Sequence, residues 1–170
     1  MYNMLNHHLY TNNILVPEQH SFRKGISTED AAFMLTDSVL KSLYQKLHVW
    51  GIFCYLSKPF DCVNHDILLT KLHFYGTQGT TINWFRSYLT NRKQKVETES
   101  PNLTQNLFSN WGIFQNGVPQ MSILGPLLFL VYINDLPLRI NSLAEPILFA
   151  DDTSVIISNR NFIEFLLQRT

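Results

Sequence analysis

Hydrophobic residues along this chain fall into two periods, and each period marks an element. In residues 28–47, "TEDAAFMLTDSVLKSLYQKL", Ala32, Leu35, Val39, Leu43 and Leu47 recur at steps of three and four. That spacing predicts one face of an amphipathic helix, with Thr28 placed to cap it. The run "VWGIFCYL" (49–56) is apolar almost without a break and of strand length, which predicts a strand in the middle of a sheet. "NHDILLTKLHFYG" (64–76) predicts a helix that ends at Gly76, and "TTINWFRSYLTNR" (80–92) a second with Ile82, Phe85 and Leu89 on one face. "KQKVETES" alternates like a strand and opens into the polar loop "SPNLTQN" (100–106); "LFSNWGIFQN" (107–116) is its expected return. "GVPQMSILGPLLFLVYINDLP" reads as a Gly/Pro loop that feeds a buried helix. "ILFADDTSVII" (147–157) reads as two short strands with Asp151 and Asp152 at the turn, and "RNFIEFLLQRT" begins a further helix. The mixed order and the antiparallel hairpin predict an α+β fold rather than a doubly wound α/β one.

Composition narrows the class. With 170 residues, 45% hydrophobic and 13% aromatic, the chain has the material for one globular domain. Thirteen basic and thirteen acidic residues cancel, so total charge lends no support to nucleic-acid binding; any such surface must be local. Cys54 and Cys62 make neither a disulfide framework nor a zinc site and are expected as reduced thiols. The first residues, "MYNMLNHHLYTNN", lack the apolar core of a secretory signal. The longest apolar run, "LLFLVYI", is far short of the roughly 20 residues a membrane span needs. An intracellular protein, in cytoplasm or nucleus and without a membrane partner, is the expectation. The six histidines are scattered, and none pairs with Cys, Asp or Glu at metal-ligand spacing.

The aspartate pair is the first candidate for chemistry. Two like charges about 4 Å apart repel by roughly 4 kcal/mol at an effective dielectric of 20, so water, turn hydrogen bonds or a cation must offset them. Alone, "ADDT" is an ordinary turn. Its company is not ordinary. "PEQHSFRKGISTEDA", "FDCVNHDILLTKLHFYG", "WFRSYLTNRKQ", "NGVPQMSILGPLLFLVYINDLP" and "FADD" follow one another in order. Over about residues 17–160 this set resembles the reverse transcriptase domain of non-LTR retrotransposons of the LINE/jockey-like kind.

The resemblance implies the palm, with partial fingers, of a right-hand polymerase: an antiparallel sheet with packed helices. It implies one partial domain over 1–170, with about 1–48 fingers-like, 49–160 the palm core with finger elements, and no thumb. It also implies RNA-directed DNA synthesis on an RNA template and DNA primer with dNTPs, using Mg²⁺ or Mn²⁺. Asp151 and Asp152 match the hairpin's metal ligands, which work with a third carboxylate from a neighbouring strand. The stretch that should supply it reads "YLSKPFD" (55–61) where the family reads like "DLSKAFD". Tyr55 therefore stands at the aspartate's place, and a phenol, neutral at pH 7, is a poor ligand for a hard cation. Asp61 lies six residues on, roughly 20 Å along an extended strand, and Asp66 sits at a helix start. Catalysis is expected to be impaired.

Other matched positions carry smaller roles. Phe60 matches the aromatic under the incoming sugar, with a plain core phenylalanine as the competing reading; Pro59 replaces a small Ala. Gln120 and Ser122 match the loop near template and nucleotide, where Met121 replaces a glycine and would obstruct a backbone that needs positive φ. In "QHSFRKG" Ser21 replaces a glycine, while Arg23 and Lys24 are candidates for template phosphate, as are Arg92 and Lys93 in "TNRKQK" (90–95). Trp50, Trp84 and Trp111 are expected as core or interface anchors. Two alternatives to a polymerase fragment stay open: a non-catalytic module binding nucleic acid or protein, and the inert product of a decayed element.

Overall fold

The computed structural model describes residues 1–98, 107–140 and 144–160. The loop 100–106 and the helix expected after residue 160 lie outside the described residues.

Four helices enclose the main core: α1 (Tyr2–Thr11), α3 (His65–Phe74), α4 (Thr80–Leu89) and α5 (Gly125–Ile133). Leu5, Leu9, Leu68, Leu72, Phe85 and Leu89 meet the continuous run Leu127–Val131 in one cluster. Helix α5 is apolar on all sides, so it can only sit inside, and its five central residues are all but fully buried. Helix α3 starts where the Asn64 side chain accepts the N–H groups of Asp66 and Ile67, and the chain leaves it through Gly76 at φ +92°. Buried Asn134, just past α5, accepts the Val16 N–H at 3.0 Å and donates to Ile14 O and Tyr75 Oη. These three bonds satisfy it and tie the chain after α1 to the end of α5.

The second unit is a three-stranded antiparallel sheet in the order β1 (His48–Tyr55), β7 (Asp152–Asn159), β6 (Glu145–Phe149). Residues 18–20 extend it at β6, where His20 N–H donates to Leu148 O at 2.8 Å and Leu148 N–H to Glu18 O at 2.9 Å. Helix α2 (Thr28–Tyr44) packs across the sheet, and the Ser38 hydroxyl bonds the Glu145 carboxylate. A short α6 (Leu136–Ile140) precedes β6. A ribbon projects from α4: β2 (Lys93–Gln94) pairs β5 (Gly112–Ile113), and β3 (Glu97–Thr98) pairs β4 (Leu107–Phe108). The return strand expected at 107–116 is there. The α+β class holds, with mixed helices and an antiparallel sheet.

Four expectations change. Strand β1 is the edge of the described sheet, not its middle, and residues 51–58 are exposed. An unbroken apolar run specifies that a strand wants cover, but the cover must come from elsewhere in space. Helix α2 is capped by Ser27 rather than Thr28, in a box where Ser27 Oγ accepts the Asp30 N–H and the Asp30 carboxylate accepts the Ser27 N–H at 2.7 Å. These bonds from Ser27 hold the Asp30 carboxyl below its usual range. The helix buries Ala31, Ser38 and Ser42 while Leu43 faces out, because small side chains let it approach the sheet. None of the three tryptophans is in the core: Trp50 is half-buried, Trp84 and Trp111 exposed.

Candidate active site

The sheet brings the aspartate turn and the end of β1 together. Asp152 opens β7 and is paired in register with Tyr55 on one side and Phe149 on the other. Directly opposed residues of an antiparallel pair share a face, with Cβ atoms about 4.5–5.5 Å apart. Tyr55 thus stands on the same face as Asp152, at the neighbouring-strand position, and its ring is 77% exposed. Ala150 and Asp151 form the two-residue turn, with Ala150 at φ +53°, a conformation costly for any residue with a Cβ. Among the described residues neither the Asp151 nor the Asp152 carboxylate has a hydrogen-bond or ion-pair partner, so no protein cation offsets the pair.

Two carboxylates and a phenol are an incomplete donor set for Mg²⁺ or Mn²⁺, which take oxygen ligands of high charge. No cluster of three or more His, Cys, Asp or Glu able to hold a metal occurs among the described residues. The residues present do not fit a two-ion centre. Asp61 is engaged elsewhere: its carboxylate accepts from Gln120 Nε2 at 3.0 Å.

That bond belongs to a seam between the segment after β1 and the loop before α5. Gly117 N–H donates to Val63 O and Val118 N–H to Phe60 O, both at 2.7 Å. Buried His65 donates its Nε2–H to Gly117 O at 2.7 Å, a structural role. The Phe60 ring, half-buried, packs on Phe129 with centroids 4.8 Å apart, which ties it to the main core. Ser122 Oγ donates to Pro119 O at 2.7 Å and accepts the Gly125 N–H at 2.9 Å, so its hydroxyl fastens the turn into α5.

Met121 adopts φ +58° with a fully exposed side chain. This is a backbone conformation that favours glycine. The left-handed region costs a residue with a Cβ about 1–2 kcal/mol, and glycine's larger unfolded-state entropy returns part of any gain. Met121→Gly should therefore raise stability by about 0.5–1 kcal/mol, read from the midpoint of urea unfolding; a lower midpoint would contradict the strain.

The basic candidates separate. Arg23 donates through Nη1 to Val16 O at 2.8 Å and Gln19 O at 3.1 Å, which clamps the turn that feeds the sheet. Buried Ser21 bonds Gln19 Oε1 through both N–H and hydroxyl in the same turn. Burial, then the Arg23 charge, hold the neighbouring His20 below its ordinary pKa. Lys24 is exposed. Arg92 lies over the Tyr88 ring at 5.1 Å and, with Lys93, borders an open cleft of about 550 Å³ that Asp61 and Gln120 also line. The structure thus gathers the site residues into two groups: Tyr55, Asp151 and Asp152 at the sheet, and Gln120, Arg92 and Lys93 around the cleft. Sequence reasoning missed Asp61 as Gln120's partner, since 59 positions separate them and no local pattern links the two.

An antiparallel sheet carries the aspartate turn beside a neighbouring strand end, and α2 packs across it. The chain belongs to the reverse transcriptase (RNA-dependent DNA polymerase) family, whose sequence model matches residues 1–169. It is similar to a probable RNA-directed DNA polymerase from transposon BS of Drosophila melanogaster, 31% identical over 169 residues, covering 92% of this chain and 17% of that protein. A second relative, a probable RNA-directed DNA polymerase from transposon X-element of the same organism, is 29% identical over 150 residues, covering 86% and 16%. The chain spans about one sixth of the length of these relatives.

Proposed function

We propose that this reverse transcriptase domain is the palm core, with fingers-like residues 1–48, of a non-LTR retrotransposon polymerase, and that it lacks nucleotidyl transfer of its own. The observation that carries the reading is the pairing of Tyr55 with Asp152. On this reading a phenol stands where the reaction would want a third carboxylate. Asp151 and Asp152 are the remaining ion ligands, Gln120 and Phe60 border the nucleotide, and Arg92 and Lys93 face template or primer phosphate. Arg23 and Ser122 support these indirectly, by holding their own loops, and Lys24 is available to solvent and phosphate.

Primer extension on an RNA template, with Mg²⁺ and separately Mn²⁺, tests this directly. The unmodified chain should give no product above a variant lacking both hairpin carboxylates, Asp151→Asn/Asp152→Asn. Extension that disappears in that variant would show that another group completes the site.

A further inference from the structure

Among the described residues, β1 is the one open edge of the three-stranded sheet. The β6 edge is taken, because His20 N–H donates to Leu148 O and Leu148 N–H to Glu18 O across it. No described strand lies on the far side of β1, and its residues 51–55 are all exposed. An edge strand presents unpaired N–H and C=O groups, and natural edges are blunted by charge, proline, a bulge or short length. Strand β1 has none of these devices. It runs eight residues, pairs β7 in unbroken register, and positions 49–57 hold no charged residue and no proline. Its apolar Ile52 and Phe53 are 40% and 69% exposed.

We propose that this edge is an interface between two copies of the chain, with β1 of one copy adding antiparallel to β1 of the other. A partner of the same sequence suits the edge on three counts. The strand carries no charge, so identical strands meet without repulsion, and zero net charge leaves no general repulsion between copies. With one edge open and the other taken, the pairing closes on itself as a two-fold dimer and cannot grow into a filament. Two-fold related antiparallel strands place one residue opposite itself, and Gly51 selects which. A Cβ at Gly51 would lie 2.9 Å from the Phe53 ring, so the glycine lets that ring lean over its own strand. Setting Ile52 opposite the partner's Ile52 brings each Phe53 across from the partner's Gly51, and the two rings then meet beside positions without side chains. One strand edge is a small interface, at or below the roughly 1,200 Å² total where stable complexes begin, so a Kd of about 1–100 μM is expected. The interface does not rest on the polymerase reading.

The test is sedimentation velocity of the full chain over a concentration series of about 1–300 μM, which should show a reversible monomer–dimer equilibrium. Ile52→Lys and Ile52→Glu each set like charges opposite one another and should weaken dimerisation about tenfold or more. An equal mixture of the two variants should recover the dimer, because opposite charges then face each other across the axis. Circular dichroism confirms that each variant is folded, and recovery on mixing itself requires folded chains. An unmodified chain that stays monomeric throughout would overturn the interface, as would one that forms open-ended aggregates in place of dimers. A dimer that both variants leave intact would put the contact elsewhere and overturn the role of β1. Loss in both folded variants without recovery on mixing would overturn the pairing of Ile52 with itself.

Discussion

Tyr55→Asp should turn the junction of β1 and β7 into a divalent-ion site, with Mn²⁺ affinity raised about tenfold or more over the unmodified chain. The register fixes this outcome: position 55 lies directly across from Asp152, beside the turn that carries Asp151. A third carboxylate on that face completes an oxygen-rich, strongly charged set, and affinity of hard cations rises with ligand charge. The same change adds a like charge to two that already lack a protein partner. Without metal the variant should therefore melt below the unmodified chain, and Mn²⁺ should recover the difference, because an ion that binds only the folded state stabilises it by mass action. Paramagnetic broadening of the Asp151 and Asp152 amides locates the ion, and melting with and without Mn²⁺ reads the linkage. Where extension follows, a gain of about 10²-fold or more is expected, the scale of one preorganised electrostatic group. Equal Mn²⁺ affinity in both chains would mean that the phenol is not what limits the site.

Gly117→Ala carries the second large effect, a loss of about 3 kcal/mol or more. Gly117 sits at φ +90°, and a Cβ there would lie 2.8 Å from both Asp61 Cα and Phe60 O. Both atoms are backbone and held by the seam, so neither can yield cheaply. The left-handed conformation adds its own cost for alanine. Unfolding in urea measures the loss. The seam also predicts where the damage spreads: the Phe60–Phe129 contact, the His65 bond to Gly117 O and the Asp61–Gln120 bond all hang from the same few residues. Near-native stability would show that the two segments can part, and that Gln120 is not fixed by the route described.

How far the sequence could be read depends on whether its signals were local. Helices α3, α4 and α5 follow from spacing, a closing glycine and an all-apolar run, because a helix face is written every three or four residues. The hairpin of β6 and β7 follows from two apolar runs around a polar turn. The family is legible in ordered motifs, and Tyr55 within its motif as a departure from the family pattern. Strand β1 was legible as a strand but not as an edge, and α2 as a helix but not by the face it buries, since both depend on what lies opposite.

The sequence by itself determined the local elements and the family, and set Tyr55 apart within its motif, all of which rest on neighbours along the chain. Only the tertiary structure decided that Tyr55 meets Asp152, that Asp61 holds Gln120 and that Arg23 clamps a turn. It alone also showed that Lys95 Nζ lies over the exposed rings of Phe108 and Trp111. The reason is distance: strand pairing, loop-to-loop hydrogen bonds and ring contacts are set by packing among segments far apart in the chain, and no periodicity within one segment records its partner in another.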